Sequence, residues 1–290
     1  MINKSFMVGG DIEVSRMGFG AMRTAGANIW GMPDDVDNSL AVIKRAVALG
    51  INFIDTADSY GPNVSEELLA RALKPYPDNL LIATKGGVTR PSPSEWVPDC
   101  SPQHLKDAIE GSLDRLRLRQ IDLYQLHTVD QLVPFEDSLR ALKELQGEGK
   151  IRHIGVSNVS LAQLKAALEI VHVVSVQNHY NVANRSSEDV LQECERLGIA
   201  FLPYFPLGGG GWTTEDNLTT TDSPLSAIAK KHNVTPGQIA LAWLLHHSPV
   251  IIPIPGTASL DHLEENTQAI DIELCSDEVA QIEQLFPQNK

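Results

Sequence analysis

The segment INFIDTADSYG, residues 51–61, runs an apolar strand-like stretch into Asp55, Asp58 and Tyr60. Two further strand-like stretches also end in ionisable groups: LLIATK ends in Lys85 and IDLYQLH in His127. If three such strands are neighbours at roughly 5 Å spacing, Asp55, Lys85 and His127 fall within about 10 Å of one another, with Tyr60 arching over them. A phenol titrates near pH 10 and is a poor acid at neutrality, but an adjacent ammonium stabilises the phenolate and lowers its pKa. Lys85 would supply that charge, Asp55 would hold Lys85 charged and oriented, and His127 could donate to a carbonyl oxygen. The chemistry expected is proton donation to a developing alkoxide.

The remaining strand ends are neutral. IRHIGVS ends at Ser157 with Asn158 next, VVSVQN ends in Gln177 and Asn178, and IAFLPY ends in Tyr204. Hydrogen-bonding and stacking groups of this kind suit a flat carboxamide ring. Leu207-Gly208 opens a glycine run to Gly211 that lets backbone amides approach a pyrophosphate, and Gly256-Thr257 precede a helix whose first amides favour phosphate. Each residue alone has a plainer reading, Asp55 as a cap, Lys85 as a solvated strand end, His127 as a core histidine and Tyr60 as packing. Their shared end of the fold argues for catalysis.

The elements that must place these groups alternate regularly. Strand patterns lie at 17–21, 51–56, 80–85, 121–127, 151–157, 173–178, 199–204 and 250–256. Helical spacing puts Val36, Leu40, Ile43 and Val47 on one face, as it does Leu105, Ile109, Leu113 and Leu116, or Phe135, Leu139 and Leu142. Further helices are expected at 160–169, 187–197, 223–232, 236–247 and 259–268. The pattern predicts an α/β (β/α)8 TIM barrel filling residues 1–290 as a single domain. A β-hairpin around Gly9-Gly10-Asp11 opens it, and a helical extension follows Ser276. The stretch 206–223 is longer than an ordinary connection, which points to a lid or a disordered segment.

The formal net charge of −14 disfavours nucleic acid and anionic membranes. The cysteines Cys100, Cys194 and Cys275 are odd in number and widely spaced, which suggests reduced thiols. With no signal-like N-terminus and no long apolar run, a cytoplasmic protein is expected, without a metal site and monomeric because a closed barrel leaves no sheet edge.

NFIDTADSYG, ATKGG, IDLYQLH, IRHIGVSN, VQNHYN, PLGG, QIALAWL and IPGTASLDHLEEN occur in the order in which the aldo-keto reductase family carries similar landmarks. The sequence resembles that family over essentially its whole length. The resemblance implies an NAD(P)H-dependent reductase of aldehydes or ketones, with Asp55, Tyr60, Lys85 and His127 as catalytic tetrad. It implies nucleotide contacts from Gly20, Met22, Asp55, Ser157, Asn158, Gln177, Tyr204, Pro206, Leu207, Gly208, Gly256, Thr257, Ser259, His262, Glu265 and Asn266. GFGAMRTAG, YFPLGGG and LAWLLHHSP are especially similar to the bacterial pyridoxal reductase (pyridoxine 4-dehydrogenase) branch, which implies pyridoxal as substrate, with Trp30, Trp96 and Trp212 offering an aromatic rim. Family members that prefer NADPH place Lys or Arg in the segment after the eighth strand, where this chain has Ser259 and His262. NADPH is still expected, with NADH possible and the preference for NADPH widening as His262 protonates. The competing reading is a nucleotide-binding regulatory or redox-sensing module with little turnover, against which the intact tetrad argues.

Overall fold

The computed structural model describes residues 2–209 and 218–287. The chain opens with β1 (Ser5–Val8) and β2 (Ile12–Ser15), an antiparallel hairpin turned at Gly9 and Gly10, both at positive φ. The repeating part follows as β3 (Phe19–Gly20), α1 (Val36–Ala48), β4 (Phe53–Asp55), α2 (Val64–Leu73) and β5 (Leu81–Gly86). A second short hairpin, β6 (Val88–Thr89) with β7 (Val97–Pro98), interrupts it before α3 (Pro102–Leu116). Then come β8 (Ile121–Leu126), α4 (Phe135–Gly147), β9 (Ile151–Ser157), α5 (Leu161–Leu168), β10 (Val173–Gln177), α6 (Glu188–Leu197) and β11 (Ala200–Phe201). The chain ends with α7 (Ser226–His232), α8 (Pro236–His247), α9 (Leu260–Gln268) and α10 (Ser276–Leu285). The expected helices are present; α2, the β6–β7 hairpin and the 3-10 turns at Ala21–Thr24 and Ala27–Ile29 were not singled out by the sequence patterns.

Seven parallel strands form one curled sheet in the order β11-β10-β9-β8-β5-β4-β3. The eighth stretch, 250–256, closes the circle without forming a regular strand. Phe201 N donates to Val250 O and Ile252 N to Phe201 O, both at 2.9 Å. On the other side Gly18 N donates to Pro253 O at 3.0 Å and Gly20 N to Pro255 O at 3.3 Å. Proline has no N–H, so this segment can accept along the seam but cannot donate at 253 or 255. The backbones also approach closely: a Cβ on Gly20 would lie 2.6 Å from Ile254 O, and one on Gly256 would lie 2.8 Å from Gly20 O. Arg16, buried at the base of the seam, donates to the carbonyls of Ile251, Leu245, Ser248 and Asn3. Burial brings its pKa down to about 10.

Strand side chains alternate between the barrel interior and the helices. Toward the N-terminal end the interior is apolar, with Phe53, Leu81, Ala83, Leu123, Ala200 and Ile252 in one cluster plugged by Val8 and Val14 of the opening hairpin. Two residues further along the same strands the inward positions become Asp55, Lys85 and Gln125. This is the period-2 pattern carried one step past the core. The outward positions, including Ile54, Ile82, Leu126, Ile154 and Val156, pack under the helices. Helix starts are fixed by side chains: Ser101 accepts from His104 N before Pro102, and Thr235 with Gln238 forms a capping box. No helix among the described residues is long and apolar enough to cross a membrane.

Candidate active site

Asp55, at the end of β4, is buried and fully partnered. Its Oδ2 accepts from Lys85 Nζ at 2.7 Å, and its Oδ1 accepts from Gln177 Nε2 at 2.8 Å and Gln125 Nε2 at 3.1 Å. Lys85 Nζ donates also to Thr56 O at 2.7 Å and to Tyr60 Oη at 3.2 Å. Burial disfavours the Lys85 ammonium, but Asp55 and Tyr60 outweigh it and its pKa is raised. Lys85 therefore stays charged at neutral pH.

Tyr60 departs from the expectation drawn from sequence. Lys85 does pull its pKa down, but burial is the larger effect and the phenol titrates above its ordinary value. Proximity of an ammonium alone does not produce a phenolate here, because the same enclosure that brings the two together excludes the water that would solvate the anion. The His127 ring stands edge-on to Tyr60, with centroids 5.9 Å apart. Burial, followed by the positive charge of Lys85, pushes its pKa well below 6.5, so its imidazole is neutral at physiological pH. Ser59 Oγ lies 3.3 Å from His127 Nδ1. In the tautomer where Ser59 donates to Nδ1, Nε2 carries the proton.

These groups open onto a cavity of about 570 Å³, within the usual range of about 300–1,000 Å³ for ligand sites. Its lining includes Gly20, Met22, Asp55, Tyr60, Trp96, His127, Ser157, Asn158, Gln177, Tyr204, Pro206, Leu207, Gly208, Gly256 and His262, all expected from the sequence. Lys85 lies directly behind it. Thr257, Ser259, Glu265, Asn266 and Trp30 are not part of the lining. Thr257 Oγ1 accepts from Ser259 N, Ser259 Oγ accepts from His262 N as the cap of α9, and Asn266 is buried. Gly210, Gly211 and Trp212 lie outside the described residues.

Beside this cluster the polar groups suit a nicotinamide ring: Gln177 Nε2 donates to Asp55 Oδ1 and Asn158 Nδ2 to His127 O. Tyr204 stacks on His179 with ring centroids 5.3 Å apart at 13°, a rigid platform on the cavity wall, and its Oη donates to Asn158 Oδ1 at 2.9 Å. The Gln177 amide nitrogen is committed to Asp55, so what it can offer a carboxamide is its carbonyl oxygen. Gly208 at φ +85 makes the turn that brings the 206–209 backbone to the cavity. Arg23, missed from the sequence, also lines the cavity, and its Nη2 donates to Gly209 O at 3.1 Å. Its sequence signal is weak: a lone arginine three residues after Gly20, far from the segment after the eighth strand where the family resemblance places a phosphate-binding cation. Gln125, Ser59, Phe205 and Thr219 were missed as well. Gln125 sits at the inward alternation of β8, where period 2 from Leu123 could have found it.

Residues 16–286 match the family model described as the aldo/keto reductase family. The chain is 47% identical to an uncharacterized oxidoreductase of Schizosaccharomyces pombe over 95% of its own length and 88% of that protein. It is 41% identical to pyridoxine 4-dehydrogenase of Escherichia coli over 93% of its length and 94% of that enzyme. Its fold matches an aldo/keto reductase from Klebsiella pneumoniae solved in complex with NADP and acetate, with TM-score 0.83, 26% identity, and coverage of 100% of this chain and 98% of that one. Since the yeast relative is the more similar of the two sequences, the special likeness to the pyridoxal-reducing branch does not set this chain apart from its other relatives.

Proposed function

The chain belongs to the aldo/keto reductase family and is an NADP(H)-dependent oxidoreductase acting on carbonyl or alcohol groups, and from this premise we propose that Tyr60 is the acid that protonates the carbonyl oxygen during reduction. The nicotinamide held in this cavity would supply the hydride that the carbonyl carbon receives. The observation that carries the reading is the hydrogen-bonded series Asp55–Lys85–Tyr60, with contacts of 2.7 and 3.2 Å, and Tyr60 on the cavity lining.

The raised pKa of Tyr60 keeps its proton in place until a stronger base, the alkoxide, develops beside it. The phenolate left after transfer lies against the Lys85 ammonium. Asp55, held by two glutamine amides as well as by Lys85, fixes where that charge sits. Neutral His127 donates from Nε2 to the carbonyl oxygen and orients it toward Tyr60. Ser157, Asn158 and Gln177 would hold the carboxamide, Tyr204 the ring, and the 206–209 backbone with Arg23 the pyrophosphate. His262 and the N-terminal amides of α9, capped by Ser259, would receive the 2′-phosphate.

Pyridoxal is the substrate we place first, on the strength of the E. coli relative's activity and of Trp96 on the cavity wall. Tyr60→Phe tests the central role. Turnover should fall by about 10²–10⁴ while the dissociation constant for NADPH stays within about twofold. Full activity in that variant would remove Tyr60 from the mechanism. No turnover of any aldehyde by the unaltered protein, despite tight NADPH binding, would favour the regulatory reading instead.

A further inference from the structure

Arg90 is 7% exposed and is not part of the cavity lining, yet it packs directly behind it. Its guanidinium carbon lies 3.7 Å from the Trp96 ring centroid and 5.5 Å from that of Trp30. Its amino groups end on backbone carbonyls: Nη2 donates to Pro93 O at 2.7 Å and Asn28 O at 3.4 Å, and Nη1 to Ile29 O at 3.3 Å and Ser59 O at 3.5 Å. One side chain thus joins the turn after β3, the residue before Tyr60 and the loop of the β6–β7 hairpin. A planar guanidinium can stack on an indole and donate in its own plane at the same time, which an ammonium cannot.

The turn it holds is one the backbone would not choose. Asn28 and Ile29 both have φ of 57°, in the left-handed region that a β-branched residue avoids. The carbonyls of both end on Arg90, and the next residue, Trp30, bridges to Gly61 beside Tyr60. Across this tie the Trp96 ring faces the cavity and stands edge-on to Tyr60, centroids 6.4 Å apart at 74°. Arg23 on the cavity lining belongs to the end proposed for the nucleotide, and the charge of Arg90 is covered by indole and carbonyl groups.

We infer that Arg90 is a positioning residue that fixes Trp96 as a flat wall beside Tyr60, and that this wall selects an aromatic aldehyde over an aliphatic aldehyde of similar size. The inference rests on the carbonyl-reductase reading above, and its test separates the two. Arg90→Met keeps length and apolar packing but loses every carbonyl tie; Arg90→Lys keeps the charge and loses the planar face. With benzaldehyde and hexanal as substrates, KM for benzaldehyde should rise about tenfold in Arg90→Met, equivalent to about 1.4 kcal/mol. KM for hexanal should change by less than about threefold, with NADPH affinity preserved. Arg90→Lys should shift the same ratio in the same direction, so it decides the question if Arg90→Met does not fold. Equal losses on both aldehydes, or an unchanged ratio, would overturn the inference while leaving the reductase standing. If the unaltered protein reduces neither aldehyde, calorimetric binding of benzyl alcohol and hexanol to the NADP-loaded protein and its variants still decides it: an unchanged binding ratio overturns the role of Arg90.

Discussion

Thr84 and Lys85 are consecutive residues of β5, and each belongs to a buried charged cluster on opposite sides of the barrel wall. Inside, Lys85 pairs with Asp55, the two side chains being 0% and 3% exposed. Outside, Thr84 Oγ1 donates to Glu66 Oε1 at 2.5 Å, and Arg115 Nε on α3 pairs with Glu66 Oε2 on α2 at 2.7 Å. Chemically the two pairs are alike. They differ in where the next polar atom lies: beyond Lys85 it is the Tyr60 hydroxyl on a cavity, whereas beyond Arg115 it is Ser112 on its own helix. A buried ion pair is therefore not in itself a mark of chemistry, and the inner one differs by having an acid next to it and room in front.

Two substitutions should separate the pairs. Lys85→Met should lower turnover by about 10²–10⁴, since the phenolate loses its counter-charge. Two amide donors remain on Asp55, which limits the accompanying loss of stability. Arg115→Met should do the reverse: it leaves the fully buried Glu66 without its cationic partner, at a cost of about 3–5 kcal/mol, while the folded fraction keeps kcat within about threefold. Thermal melts and initial rates on the same preparations would read both. An Arg115→Met protein with a normal melting temperature and a Lys85-like loss of turnover would dissolve the distinction.

The smallest effect concerns Asp58, which lies between the two clusters. Burial raises its pKa strongly, with Glu66 adding to the rise and Arg115 and Lys85 opposing it, and its Oδ1 has no hydrogen-bond partner among the described residues. The folded chain thus holds this proton more tightly than the unfolded one. The resulting stabilisation is complete below the unfolded carboxylate value of about 3.9 and is lost as pH rises through the raised folded value. Asp58→Asn should therefore stabilise the protein by about 1 kcal/mol at pH 8 and by much less near pH 4. Denaturant midpoints at the two pH values check the sign, and a greater gain at pH 4 would contradict it.

The contrast also explains what was legible in the sequence. Asp55, Lys85 and His127 could be read because each stands at the end of an apolar stretch, and barrel topology brings such ends together. Glu66 and Arg115 could not, since SEELLA and LDRLRLR look like ordinary solvated helix faces until α2 docks on α3 over Thr84. Arg90 lies in a loop without periodicity, and the left-handed Asn28-Ile29 turn that it ties runs against local preference. The pattern VIIPIPG reads as a strand, but its prolines make the closing segment an irregular one. The sign of the Tyr60 shift needed the balance between burial and charge, which spacing alone does not provide.

That closing segment also limits how the barrel's breathing can be observed. Positions 253 and 255 have no amide hydrogen, so they leave no trace in hydrogen–deuterium exchange. On the β3 side the seam can be followed through the amides of Gly18 and Gly20, which rest on Pro253 O and Pro255 O. A peptide spanning 17–21 would then act as a reporter for the opposite end of the chain. Slower exchange there on adding nucleotide would mean that the ligand tightens the ring at its closure.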